Sequence, residues 1–280
     1  MVADDAVREP YDEDRLRAAV TGGHGGWRKL TVVAETPSTN ADLVRRATDG
    51  EDVAGVVLVA EHQIAGVGRH GRAWLSAPMA QILVSVGVDA THVPVESWGW
   101  LSLACGTAVV DALSSVTGIV AGLKWPNDVL AGGGKIAGIL STVAKPTSRI
   151  VVGIGLNVSL QLDEIADVGA TSVHLLSDGK PDRQVLLIAM LEKLRMRIDH
   201  WQTARGADET LESDYRARSL TLGQRVRVSL PGGRDIFGTA STLDHQGRLG
   251  IMTARGTVFI AAADIVHLRP TGTEYFPRRI

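Results

Sequence analysis

The sequence predicts a mixed α/β domain followed by a small all-β domain, and three observations predict it. Up to about residue 204, short runs of β-branched residues alternate with two long segments of 3.6-residue apolar spacing. Beyond Ser219 the pattern changes to short apolar–polar alternations broken by turn residues. Hydrophobic residues at 45% with a formal net charge of −2 describe a folded chain with no global field drawing it to nucleic acid or to an anionic membrane.

Residues 1–28 are read as an N-terminal segment; its first ten residues are polar and acidic, unlike a signal or transit peptide, and a cytoplasmic protein is expected. Residues 29–35 are rich in β-branched residues and read as a strand. Ser38 or Thr39 then caps a helix to about Thr48, with Asp42 in its first turn. Residues 55–60 and 81–88 are apolar strands. Val95, Trp98, Leu101, Cys105, Ala108, Ala112 and Val116 follow helical spacing, which puts Cys105, the single cysteine, on a core face. No run approaches the roughly 18 apolar residues of a membrane span. Residues 123–130, 135–143 and 150–159 read as strands, and residues 182–204 as a second long helix. Four or five short strands follow within 219–269, around a turn at 231–233, and residues 270–280 read as a loose tail.

Chemistry concentrates at strand ends. Residues 66–74 place Gly66, Gly68 and Gly71 among Arg69, His70 and Arg72, closed by Trp74. Glycines allow close backbone approach, and guanidinium forks suit carboxylate or phosphate, so this is an anion-seeking loop. Lys124-Trp-Pro-Asn-Asp128 hangs polar groups on an apolar strand, although Pro-Asn-Asp alone equally suits a strand-to-turn boundary. Gly132-Gly-Gly-Lys135 is not a P-loop, because Val129 and Ile136 stand where glycine and Ser/Thr are needed. Lys135 instead opens a strand, where alternation turns it to a cleft or, as an ordinary hairpin lysine, to solvent. Gly153, Gly155 and Asn157 suit either ligand approach or tight strand packing. No histidine pair has zinc-ligand spacing, and no Gly-x-Ser-x-Gly elbow occurs.

In this order and at these separations the set resembles the biotin protein ligases, over roughly residues 30–268. The motifs that carry the resemblance are Gly-x-Gly-Arg-x-Gly-Arg, Lys-Trp-Pro-Asn-Asp and Lys-x-x-Gly. It implies a mixed-sheet catalytic domain of the biotin/lipoate ligase and class II synthetase-like kind at 29–218, and an SH3-like barrel at 219–269. It also implies activation of biotin by ATP to biotinyl-5′-AMP, then transfer to a lysine of the biotin carboxyl carrier domain of an acyl-CoA carboxylase. By resemblance Ser38, Thr39, Asn40 and Gln63 take the ureido head, a group whose burial demands matched hydroxyls and amides. Gly68, Arg69, Lys135, Gly138 and Gly155 complete the biotin site. Arg69, Arg72, Trp74, Lys124, Asn127, Asp128, Lys135 and Asn157 would hold ATP and adenylate, with Trp74 on or over the adenine. Lys135, Arg69 and Asp128 are the catalytic candidates, because joining two anions needs placed cations. Mg2+ would enter with ATP near Asp128. A free lysine is neutral in only about one molecule in two thousand at pH 7. Asp128 or the phosphate is therefore the candidate to deprotonate the acceptor.

Two departures from the family follow. About 28 residues precede the first core strand, too few for the helix-turn-helix domain of repressor-type members, so no DNA binding is expected. Val67 stands where relatives usually have arginine, which implies a weaker hold on adenylate. A lipoate or octanoate ligase-type enzyme, and a weak or inactive biotin or biotinyl-AMP binder, are the alternatives.

Overall fold

The computed structural model describes residues 8–21, 26–165, 169–177, 181–230, 235–261 and 263–267. The expected turn at 231–233 and tail at 270–280 lie outside these residues. In chain order the elements are α1 (Glu13–Thr21), β1 (Lys29–Thr36), α2 (Thr39–Thr48), β2 (Val56–Gln63), β3 (Gln81–Asp89) and α3 (Gly99–Thr117). There follow β4 (Ala121–Lys124), β5 (Asp128–Ala131), β6 (Gly134–Ala144), β7 (Arg149–Asn157), α4 (Val173–Leu176), α5 (Arg183–Thr203) and α6 (Glu209–Arg218). The chain then forms β8 (Arg225–Ser229), β9 (Asp235–Leu243), β10 (Leu249–Thr253), β11 (Gly256–Ile260) and β12 (Asp264–His267).

Seven strands make one mixed sheet in the order β1-β2-β3-β7-β6-β5-β4, with β1 and β2 parallel and the remaining pairs antiparallel. Period-2 alternation divides its faces. Val57, Val59, Ile82, Val84 and Val86 face α3 and α5 in the main core, with Leu101, Ala108, Leu187 and Leu194. Val56, Leu58 and Val151 face the other way, where Leu43 and Ala47 of α2 cover them. Beyond α2 that second face is left open and becomes the floor of a cleft. The last five strands form an antiparallel sheet of the SH3-like class, in the order β11-β10-β9-β8-β12.

Several elements differ from the sequence expectation. Residues 123–130 are not one strand but the hairpin β4–β5, with Trp125, Pro126 and Asn127 at its turn. α3 begins at Gly99, and Val95 lies in a preceding 3-10 turn, 68% exposed instead of on the core face. α3 with its lead-in is long and apolar enough to span a bilayer, contrary to expectation, but it is mostly buried inside the protein. α1, α4 and α6 carry too little apolar periodicity to be seen in the sequence. α1 is held by Leu16 and Val20 in the core. Just before it, Arg183 of α5 pairs with Glu61 and stacks 3.9 Å from the ring of Tyr11. Cys105 is fully buried, and burial pushes its thiol up to about 12, so it is inert packing.

Indole N–H groups fasten the C-terminal sheet to the first domain. Trp100 donates to the carbonyl of Asp244 at 2.9 Å, and Trp125 to that of Gly247 at 3.1 Å. Gly247 has φ +77°, and Gly99 approaches so closely that a Cβ there would stand 2.3 Å from the Gln246 carbonyl oxygen. Both glycines are therefore required by the fit.

Candidate active site

A cleft of about 700 Å³ lies on the open sheet face between α2, the Gly66–Trp74 hairpin, the β4–β5 turn and β12. All fifteen residues named from the resemblance line it: Ser38, Thr39, Asn40, Gln63, Gly68, Arg69, Arg72, Trp74, Lys124, Asn127, Asp128, Lys135, Gly138, Gly155 and Asn157.

At one end, the N-terminus of α2 meets β2 and β3. Ser38 caps the helix by accepting from the N–H of Ala41. Thr39 donates its backbone N–H (2.8 Å) and its hydroxyl (3.0 Å) to Oε1 of Gln63, and that hydroxyl also contacts Ser85 at 2.8 Å. The Asn40 amide donates to the carbonyls of Leu140 (3.1 Å) and Val151 (3.4 Å), so its nitrogen is engaged in tying α2 to the sheet. Gly153 permits this: a Cβ there would lie 2.9 Å from the Asn40 nitrogen.

The middle of the floor is built from two glycines in register, Gly138 on β6 opposite Gly155 on β7. The indole of Trp74 lies on them, so that a Cβ at Gly155 would stand 2.4 Å from its Cε2 and one at Gly138 3.1 Å from its Cζ3. Trp74 Nε1 is buried without a hydrogen-bond partner among the described residues. The loop carrying it is a hairpin with Val67 bridged to Ala73 and Trp74 N–H donating to Gly66 O at 2.8 Å. Of its glycines Gly71 is left-handed (φ +73°), whereas Gly68 is extended and His70 itself takes φ +56°. Gly66 is needed for approach, since a Cβ there would meet the Trp74 carbonyl oxygen at 2.6 Å.

The cationic wall is largely paired. Lys135 Nζ bonds Asp128 Oδ1 at 2.7 Å and stands 5.5 Å from the Trp74 ring centroid. A bulge between Val129 and Leu130 sets their register, and Ile136 beside Lys135 points into the core. Asn127 clamps β6 by donating to Ile139 O and accepting from Ile139 N–H, both at 2.9 Å. Its Oδ1 receives Arg69 at 3.4 Å, linking the two loops. Arg72 also lines the cleft.

At the far end, four residues or about 13 Å along β7 from Gly153, Asn157 pairs with Gln81 in register. Gln81 Nε2 donates to Asn157 Oδ1 (2.9 Å) and Leu75 O (3.2 Å), and Asn157 donates to Thr171 O (2.9 Å). Thr171 N–H in turn bonds the carbonyl of Lys135. Glu164 lines this end, and its hydrogen bond to Arg8 holds its carboxyl below the usual range.

Gln81, Ser85, Glu164 and the β12 residues Ile265 and Val266 were not anticipated in the cleft. Gln81 and Ser85 carried a readable signal, being polar residues at even spacing on one face of an otherwise apolar strand. The β12 residues carried none.

The model of the biotin/lipoate A/B protein ligase family matches residues 32–157, and that of the biotin protein ligase C-terminal domain matches residues 221–268. Over 268 residues the chain is 52% identical to the biotin–[acetyl-CoA-carboxylase] ligase of Mycobacterium tuberculosis, covering 95% of this chain and 98% of that one. It is 30% identical over 261 residues to the bifunctional ligase/repressor BirA of Bacillus subtilis, covering 89% of this chain and 76% of that protein. The biotin protein ligase from Aquifex aeolicus in complex with biotin and ATP superposes with a TM-score of 0.73 at 28% identity, covering 87% of this chain and 100% of that one. Matched along nearly its whole length by such a ligase, the chain belongs to the biotin protein ligases of the biotin/lipoate A/B protein ligase family.

Proposed function

We propose that the protein activates biotin with ATP and transfers it to a lysine of the biotin carboxyl carrier domain of an acyl-CoA carboxylase, in the cytoplasm. Residues 29–218 act as the catalytic domain and 219–269 as the small C-terminal domain. The observation that carries this reading is one cleft with a hydroxyl–amide end, a glycine floor and a cationic wall.

A carboxylate oxygen of biotin attacks the α-phosphorus of ATP, the bond to the β-phosphate bridge breaks, and pyrophosphate leaves. The acceptor amine then attacks the acyl carbon, loses a proton, and AMP departs. Thr39, Ser38 and Gln63 bind the ureido ring, while Asn40 acts mainly by anchoring α2. Lys135, oriented by Asp128, meets the reacting carboxylate and phosphate oxygens, with Arg69 and Arg72 closing from the hairpin. Lys124 and Asn127 face the phosphates; Mg2+ carried in with ATP would be held near Asp128 and would supply positive charge to the pyrophosphate. Trp74 excludes water from the mixed anhydride.

Biotin-dependent exchange of labelled pyrophosphate into ATP tests the first half. Streptavidin detection of a carrier domain, with lipoate and octanoate as competing acids, tests the second. Exchange with no dependence on biotin would refute the reading.

A further inference from the structure

On the ligase reading, we infer that Thr221 and His267 of the C-terminal domain are positioning residues that place Lys124 for the phosphates of ATP. The two lysines of the cleft differ in their pairing. Lys135 is already bonded to Asp128 at 2.7 Å, whereas the ammonium of Lys124, which pairs with Asp128 only through the β4–β5 ladder, has no hydrogen-bonded or ion-paired partner among the described residues. A lysine is a point charge on a flexible stem, so its usefulness depends on what fixes its backbone and on which groups compete for its ammonium.

The C-terminal domain supplies both conditions. Leu220 N–H bonds Leu123 O at 2.8 Å, extending the β4 edge with a parallel bridge between Leu123 and Ser219. The hydroxyl of Thr221, fully buried, accepts the N–H of Trp125 at 3.1 Å, immediately after Lys124. His267 Nε2 lies 3.1 Å from the same hydroxyl, within hydrogen-bond distance in either tautomer of the ring. Burial, with the charge of Lys124 nearby, pushes His267 down to about 4, so the ring is neutral near pH 7. The group from β12 that faces Lys124 is thus uncharged and already bonded, and it leaves the ammonium to the ligand. Ile265 and Val266 of the same strand line the cleft beside it.

The test uses the full chain in pyrophosphate exchange with ATP and biotin varied in turn. Thr221→Val, isosteric but without the hydroxyl, should raise KM for ATP at least fivefold and leave KM for biotin within twofold. Thr221→Ser should restore both, and His267→Leu should behave like Thr221→Val. In a Lys124→Ala background Thr221→Val should add less than twofold. An unchanged KM for ATP, an equal rise in both KM values, or full additivity with Lys124→Ala would overturn the inference. If the wild-type chain shows no biotin-dependent exchange, the ligase reading fails. Calorimetric titration of the same variants with ATP then decides the positioning role separately: weaker ATP binding in Thr221→Val supports it, and unchanged binding overturns it.

Discussion

Gly155→Ala should disable the cleft without unfolding the protein. Gly155 sits inside β7 without a left-handed φ, so alanine suits its backbone and favours the strand by about 0.5–1 kcal/mol. Its Cβ, however, would stand 2.4, 2.5 and 2.7 Å from Cε2, Cζ2 and Nε1 of Trp74. Carbon atoms rest at about 3.5–4.0 Å, so the indole must withdraw by about 1 Å or more. Overpacking of this kind costs about 1–3 kcal/mol. Trp74 is on a loop that can lift, so the penalty falls on closing the site and not on folding. At about 1.4 kcal/mol per decade, kcat/KM for adenylate formation should fall roughly 5- to 150-fold, with a melting temperature within about 4 °C of wild type. In a Trp74→Ala background the same substitution should cost less than twofold, because the clashing atoms are gone. Wild-type kinetics in Gly155→Ala, or an equal loss in both backgrounds, would refute the reasoning.

Asp128→Asn removes the partner of Lys135 and should slow adenylate formation about tenfold or more. Normal transfer from preformed adenylate by that variant would exclude the Asp128 carboxylate as base for the acceptor lysine. Val67, 46% exposed on the hairpin, can accept a long side chain, and Val67→Arg should slow adenylate dissociation; an unchanged rate would remove any role for this position. Glu61→Gln leaves Arg183 uncompensated in a buried site, which should lower stability by about 3–5 kcal/mol and the melting temperature by roughly 5–15 °C. A drop under about 2 °C would show the pair to be inconsequential. His267 is held neutral near pKa 4 in the folded chain, against an ordinary imidazole value of 6.5, so the unfolded chain binds the extra proton between these limits. Stability should therefore decline as pH falls from 6.5 to 4, and His267→Gln should flatten that slope in thermal melts.

The site was legible where its chemistry is local. Ser38 and Thr39 announced a helix start directly after an apolar strand, and the cap formed there. Lys135 and Ile136 alternated, and one faces the cleft while the other is buried. The 123–130 run misled because apolar residues on both sides of Pro126 read as continuous, whereas they are the two arms of a hairpin. Asn40 was assigned to a ligand by resemblance, yet its amide nitrogen is taken by carbonyls of β6 and β7, strands a hundred residues further along the chain.

Residue order alone was enough to locate most of the strands, the capped helix, the cationic loops and the change to an all-β domain, because alternation, capping and turn chemistry act within about ten residues. It could not say that Gly138 and Gly155 stand side by side under Trp74, or that Gln81 meets Asn157. Nor could it say that Thr221 holds the backbone beside Lys124. Those pairings depend on strand register and on how the second domain docks. Both are set by which buried surfaces fit together across long stretches of chain, a property of the packed molecule that no local pattern encodes.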